Sequence, residues 1–169
     1  MERKMSNKIE MLVHTIKESF NGRNPWFGDS LINKLNKIDY RIVNITLTDS
    51  NNSIAMIIQH LINWRVFAIE KMNKNQAFDI KINSTNDWTK INIDSETEWT
   101  ELLSKLISTQ NKIIALLEEL MVNNHLNDKV SGKDYSFEHL INGIIQHDIY
   151  HLGQIGLLHK QIKNNEIFS

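Results

Sequence analysis

Four long stretches of this sequence place apolar residues at intervals of three and four, and almost nothing interrupts them. Proline occurs once, at Pro25, and glycine only six times in 169 residues. A fold of many short strands needs tight turns, and tight turns draw heavily on both residues. The pattern therefore predicts an all-α chain. The first helix is expected over residues 7–20, with Ile9, Val13, Ile16 and Phe20 on one stripe and Asn7 and Glu10 at capping-box spacing. The second is expected over residues 54–72, opened by the polar cluster Ser50, Asn51, Asn52 and Ser53. The third is expected over residues 96–122, where Ser95 and Glu98 repeat the capping-box spacing and Leu102, Leu103, Leu106, Ile113, Leu117 and Leu120 form the stripe. The fourth is expected over residues 137–163, with Ser136 as N-cap.

Two connections are long. Residues 21–53 hold Gly22, Pro25 and Gly28, then a short helix expected over 30–38; residues 41–47 alternate enough to be extended, although no partner strand is evident. Residues 73–94 are rich in Asn, Asp, Ser and Thr and carry Trp88. Loops of this length in a compact domain are functional or disordered. Four amphipathic helices bury their stripes most simply in a four-helix bundle. The second connection is long enough to run the length of such a bundle, which allows the second and third helices to be parallel. One domain over residues 1–169 is the expectation at this length.

Composition narrows the function. Nineteen basic residues face 20 acidic ones with no block of like charge, so the footprint of a nucleic-acid binder is missing. There is no cysteine, which removes disulfides, thiolate ligands and a cysteine nucleophile; thiol chemistry would need a thiol from outside. No apolar run approaches the ~20 residues that span a bilayer. The charged start, Met1 to Ser6, is not followed by an apolar core, so no signal peptide and a cytoplasmic location are expected.

Seven histidines are present, and chance alone gives about 0.3 pairs at i,i+4. The pair His147 and His151 gains weight from position. It shares a helix face with Leu140, Ile144, Leu158 and Gln154. His60 lies on a face with Ile57, Trp64 and Phe67. Imidazoles on apolar stripes need partners. Each of the three could be a neutral histidine bonded to a neighbour; taken together they point to one divalent metal ion. Imidazole suits zinc, nickel, copper and iron, and three neutral ligands leave a position open for water or substrate. His14, with Glu10, Lys17 and Glu18, reads as solvent-facing; His125 and His139 fall in polar surroundings, and His159 lies two turns beyond the pair. Asp148 is a candidate to orient an imidazole or accept a proton, and Tyr150 and Gln154 flank His151 on the site side. Simpler roles for these three are solvation, packing and a bond to backbone. The run His147 to His151 differs from the H-E-x-x-H zinc proteases: Asp148 has a shorter arm than glutamate, and the third ligand lies far upstream.

The segments His60-Leu61-Ile62-Asn63-Trp64-Arg65 and His147-Asp148-Ile149-Tyr150-His151-Leu152-Gly153-Gln154-Ile155 resemble the two signature segments of the DinB/YfiT-like superfamily. Pro25-Trp26-Phe27-Gly28-Asp29-Ser30-Leu31 resembles the loop after the first helix in one branch of it. The resemblance spans nearly the whole chain in the same order. It implies a four-helix bundle with an up-down-down-up course, long connections after helices one and two, and His60, His147 and His151 as ligands of nickel or zinc. It further implies a homodimer and a loop that sets Trp26 near the mouth of the site. Some relatives transfer or isomerise with low-molecular-weight thiols such as bacillithiol or mycothiol, and others are labelled hydrolases. Two functions follow as expectations. One is a metal-dependent enzyme, S-transferase-like or hydrolase-like, acting on a small-molecule substrate. The other is a non-catalytic metal-binding or stress-associated module. A pocket beside the open metal position favours the enzyme; a site sealed by Trp26, Trp64 and Phe67 favours the module.

Overall fold

A computed structural model describes the backbone of residues 2–48, 52–123 and 125–167. The described residues form five α-helices and no strand: α1 (Glu2–Asn21), α2 (Leu31–Leu35), α3 (Ile54–Met72), α4 (Glu96–Asn123) and α5 (Phe137–Ile167). The fold is all-helical, as the periodicity predicts, and the helices pack as a bundle: α3 on α4 and α5, α1 on α4 and α5.

Local chemistry explains most boundaries. The Ser53 hydroxyl accepts from the Met56 amide and starts α3 where expected; Ser50 and Asn51 of the polar cluster lie outside the described residues. Ser95 accepts from the Glu98 amide at 3.2 Å, while the Glu98 carboxylate reaches back to the Asp94 amide, one residue beyond the Ser95 amide of a full capping box. Ser136 caps α5 through the His139 amide. At α1 the expectation fails. The helix begins at Glu2, so Asn7 and Glu10 lie inside it. Glu2, Arg3, Lys4 and Met5 are good helix formers with no breaker among them, and that propensity outweighs the cap signal.

Residues 41–47 are not extended. Tyr40–Ile42 form a 3-10 turn, held by the Asp39 carboxylate on the Arg41 amide, and the chain turns on through Asn44. A strand needs a partner ladder. Here the Asn44 side chain supplies a substitute, donating to the Ile93 carbonyl at 2.8 Å and accepting from the Ile93 amide at 3.0 Å, and the Val43 carbonyl accepts from the Ala55 amide at 2.9 Å.

Two apolar clusters fill the interior. One joins Phe20 of α1, Ile58 and Leu61 of α3, Leu106 of α4 and Ile155 of α5. The other joins Ile9 and Ile16 of α1, Phe67 and Met72 of α3, Ile113 and Leu117 of α4, and Ile141 and Ile144 of α5. Residues that connect all four long helices fall between these two sets in sequence. Arg65 of α3 pairs with Asp148 of α5 through Nη2 and Nε, and its Nη1 donates to Gln110 of α4 at 2.8 Å. Gln110 in turn donates to the Ile16 carbonyl of α1 at 3.0 Å. The Arg65 guanidinium also lies 4.7 Å from the centre of the Phe20 ring. Buried charges persist only when paired and bonded in this way.

Candidate metal centre

His60 projects from α3 and His147 and His151 from α5, all toward the long connection between α3 and α4. Helical spacing puts His147 and His151 one above the other. Their Nε2 atoms lie 3.1 Å apart, and His60 Nε2 is 3.0 Å from His147 Nε2. All three ligand atoms lie within 4.8 Å of one another. His60 and His151 are buried and His147 is partly so.

The outer nitrogens are tied down. His60 Nδ1 is 2.9 Å from both the backbone carbonyl and the carboxylate Oδ1 of Asp87. Both are acceptors, so Nδ1 carries the proton and Nε2 presents a lone pair inward. His151 Nδ1 donates to the Gln154 side-chain carbonyl at 2.6 Å, and the Gln154 amide donates to the Tyr150 hydroxyl at 3.0 Å. Its Nε2 therefore also presents a lone pair. Both face His147 Nε2, which holds at most one proton, so one nitrogen–nitrogen contact has no hydrogen between them. A cation at the centre removes that conflict. A tetrahedral ion with nitrogen ligands at 2.0–2.1 Å sets them about 3.3 Å apart. The donor set fits a metal ion, and it is the one such group found among the described residues.

Burial is the first cause that pushes His147 down to about 3, followed by the neighbouring His151 and His60. Burial likewise pushes His151 down to about 4; His60 adds to this and the Gln154 hydrogen bond opposes it. Neutral imidazoles are what a metal requires. In an unfolded chain both titrate near 6.5. Between pH 6.5 and these lower values the unfolded chain holds more protons, so falling pH destabilises the metal-free fold. We expect metal-stripped protein to lose stability between pH 7 and pH 4 from this source, by up to about 3 kcal/mol for each of the two imidazoles before solvent screening reduces it. Denaturation midpoints against pH, for native protein and His147→Ala/His151→Ala, measure it. An identical slope in both would contradict the assignment.

The structure also separates the supporting residues. Gln154 touches His151, and Tyr150 stands one bond further out, 64% exposed, with its ring 4.9 Å from the His151 ring. Asp148, considered above as a partner for an imidazole, points elsewhere. One residue along a helix rotates a side chain by about 100°, and that turn carries Asp148 into the core against Arg65. Burial pushes its carboxyl up while Arg65 pulls it back. The residue that orients an imidazole is Asp87, through its backbone carbonyl with its carboxylate alongside, and sequence reading missed it. Its Oδ1 accepts from Trp64 Nε1 at 2.8 Å and its Oδ2 from the Asn83 amide at 2.7 Å. Asn83 has φ 61, a left-handed turn that asparagine tolerates. Next to Asp87, Trp88 stacks flat on the His60 ring, with centroids 3.8 Å apart. The polar loop and its tryptophan were the available signals for this support.

The site is not sealed. A pocket of about 400 Å³ includes His60 and His147 in its wall, with Trp64, Phe67, Leu140 and Ile144. Trp26 is fully exposed and forms no part of that wall. A larger cavity, about 650 Å³, lies between Tyr40 and Trp99, away from the histidines, and has no ligand cluster. His14 and His125 sit on the surface beside Glu18 and Asp128.

Fold and site together define an all-helical protein with a three-histidine group able to hold a metal ion. A family model described as the DinB superfamily matches residues 10–155, most of the chain, and the protein belongs to that superfamily. No curated protein and no solved structure matches it. Among the described residues, no helix is long and apolar enough to cross a membrane.

Proposed function

We propose that the protein is a cytoplasmic metal-dependent enzyme in which His60, His147 and His151 hold one zinc or nickel ion that activates an external nucleophile, thiol or water. The observation that carries this reading is the convergence of three Nε2 atoms whose outer nitrogens are already committed to Asp87 and Gln154. When bound, such an ion keeps its full double charge among neutral ligands and stabilises an incoming thiolate or hydroxide. Asp87 and Gln154 hold the imidazoles in the required tautomers and orientation. In this reading Tyr150, whose hydroxyl accepts from Gln154, steadies the Gln154 side chain that holds His151. The pocket beside His60 and His147 supports an enzyme over a binding module, because it leaves room for a substrate. An up-down-down-up course of one DinB-like domain belongs to the same reading: one apolar cluster combines the earlier part of α1 with the late parts of α3 and α4 and the early part of α5, and the other combines the end of α1 with the early parts of α3 and α4 and the late part of α5. So does a homodimer, for which exposed Trp26 and Phe27 offer apolar surface.

The chain has no cysteine, so transfer requires an added thiol. Metal-loaded protein incubated with a generic electrophile and a panel of small thiols should consume thiol, and His147→Ala should not. Turnover confined to ester or amide substrates would assign hydrolysis instead. Silence across the panel would remove the enzyme reading and leave the module.

A further inference from the structure

We infer that the pocket beside His147 receives an uncharged, apolar part of the substrate, and that Gly143 is the residue that keeps it open. The inference rests on the proposed function for its link to catalysis, but the pocket stands on separate observations. Gly143 lies one turn before His147 and lines the same pocket. Glycine is the poorest helix former after proline, yet it sits well inside the 31-residue α5. A Cβ built there meets nothing within 4 Å. Close packing therefore does not require glycine at this exposed position on the pocket's rim; a side chain there would enter open space beside the pocket, and a large one can reach across its mouth.

The lining sets the ligand's chemistry. None of the described lining residues is Asp, Glu, Lys or Arg. Trp64, Phe67, Leu140 and Ile144 are joined by Ile82, an isoleucine left 70% exposed in the long connection. The nearby ammonium of Lys133 lies 5.4 Å from the Phe67 ring but is held by both oxygens of Asp79. That of Lys71, 5.6 Å from the same ring, donates to the Gln76 carbonyl. Two polar members away from the metal site, Tyr135 and His139, lie with their rings tilted and 5.2 Å apart, and burial pushes the Tyr135 phenol up, which keeps it neutral. A charged ligand would lose hydration here without meeting an opposite charge. About 400 Å³ suits a small ligand of one ring or a short alkyl chain.

The test uses metal-stripped protein, so that no anion is drawn to an ion. Benzyl alcohol, benzoate and benzylammonium share a ring and differ in charge. Ligand-observed NMR should show benzyl alcohol binding at least about tenfold more tightly than either ion. Gly143→Leu should abolish that binding, and Gly143→Ala should keep most of it. Ile82→Asp changes an exposed loop position and leaves the fold intact; it should shift preference toward benzylammonium even if Gly143→Leu fails to fold. Equal binding of all three probes, or no response to Gly143→Leu in a folded protein and to Ile82→Asp, would overturn the inference. Loss of zinc-induced stabilisation in native protein would sink the metal reading alone and leave the pocket result standing.

Discussion

Asp148→Ala should destabilise the protein by about 3–5 kcal/mol, the usual consequence of leaving one partner of a buried ion pair behind. The substitution strands the Arg65 guanidinium, whose side chain is 0% exposed, between two apolar clusters. Among the described residues it keeps the Gln110 carbonyl oxygen and the face of the Phe20 ring. Replacing both partners together, Arg65→Met with Asp148→Leu, should cost far less, because no charge then stays buried. Urea denaturation of the two variants measures the difference. A loss under about 1 kcal/mol for Asp148→Ala would mean that solvent reaches the pair. Asp148→Ala protein kept well below its midpoint should still take up zinc, since Asp148 bonds to Arg65 and to none of the three imidazoles.

Periodicity made the helices and the histidine faces legible. The stripe on α4, the start of α3 after its polar cluster, and the Ser95 and Ser136 caps stand where the sequence placed them, because each is decided within one or two turns of chain. The spacing of His147 and His151 is likewise local, and His60 followed from its apolar neighbours. What could not be read depends on partners distant in sequence. Asp87 meets His60 across 27 residues, from a loop with no periodicity, and Asp148 meets Arg65 across 83. A face calculation locates a side chain on its helix but does not say which neighbour that face will meet. Residues 41–47 show the converse: local alternation suggested a strand, and the absence of a ladder decided against it.

The second large effect is metal-linked stability. A ligand that binds only the folded state at a hundredfold excess over its Kd adds about 2.7 kcal/mol. For a domain of this size that corresponds to a rise of about 5–10 °C in melting temperature. Zinc or nickel should produce such a rise in native protein and in His14→Ala, whose ring lies on the surface beside Glu18. His147→Ala and His151→Ala should abolish most of it. In each case two nitrogens remain, and the geometry that fixes a three-ligand ion is lost. Equal responses from His14→Ala and His151→Ala would place the metal elsewhere.

The most direct measurement is the metal content of protein purified without a metal-binding tag, reloaded with zinc or nickel, freed of excess by gel filtration and assayed by elemental analysis. The expected result is about one ion per chain, falling to near zero when His60, His147 and His151 are all replaced by alanine. Native protein that retains no ion, or a triple variant that retains as much as native, would contradict a metal centre at these three histidines.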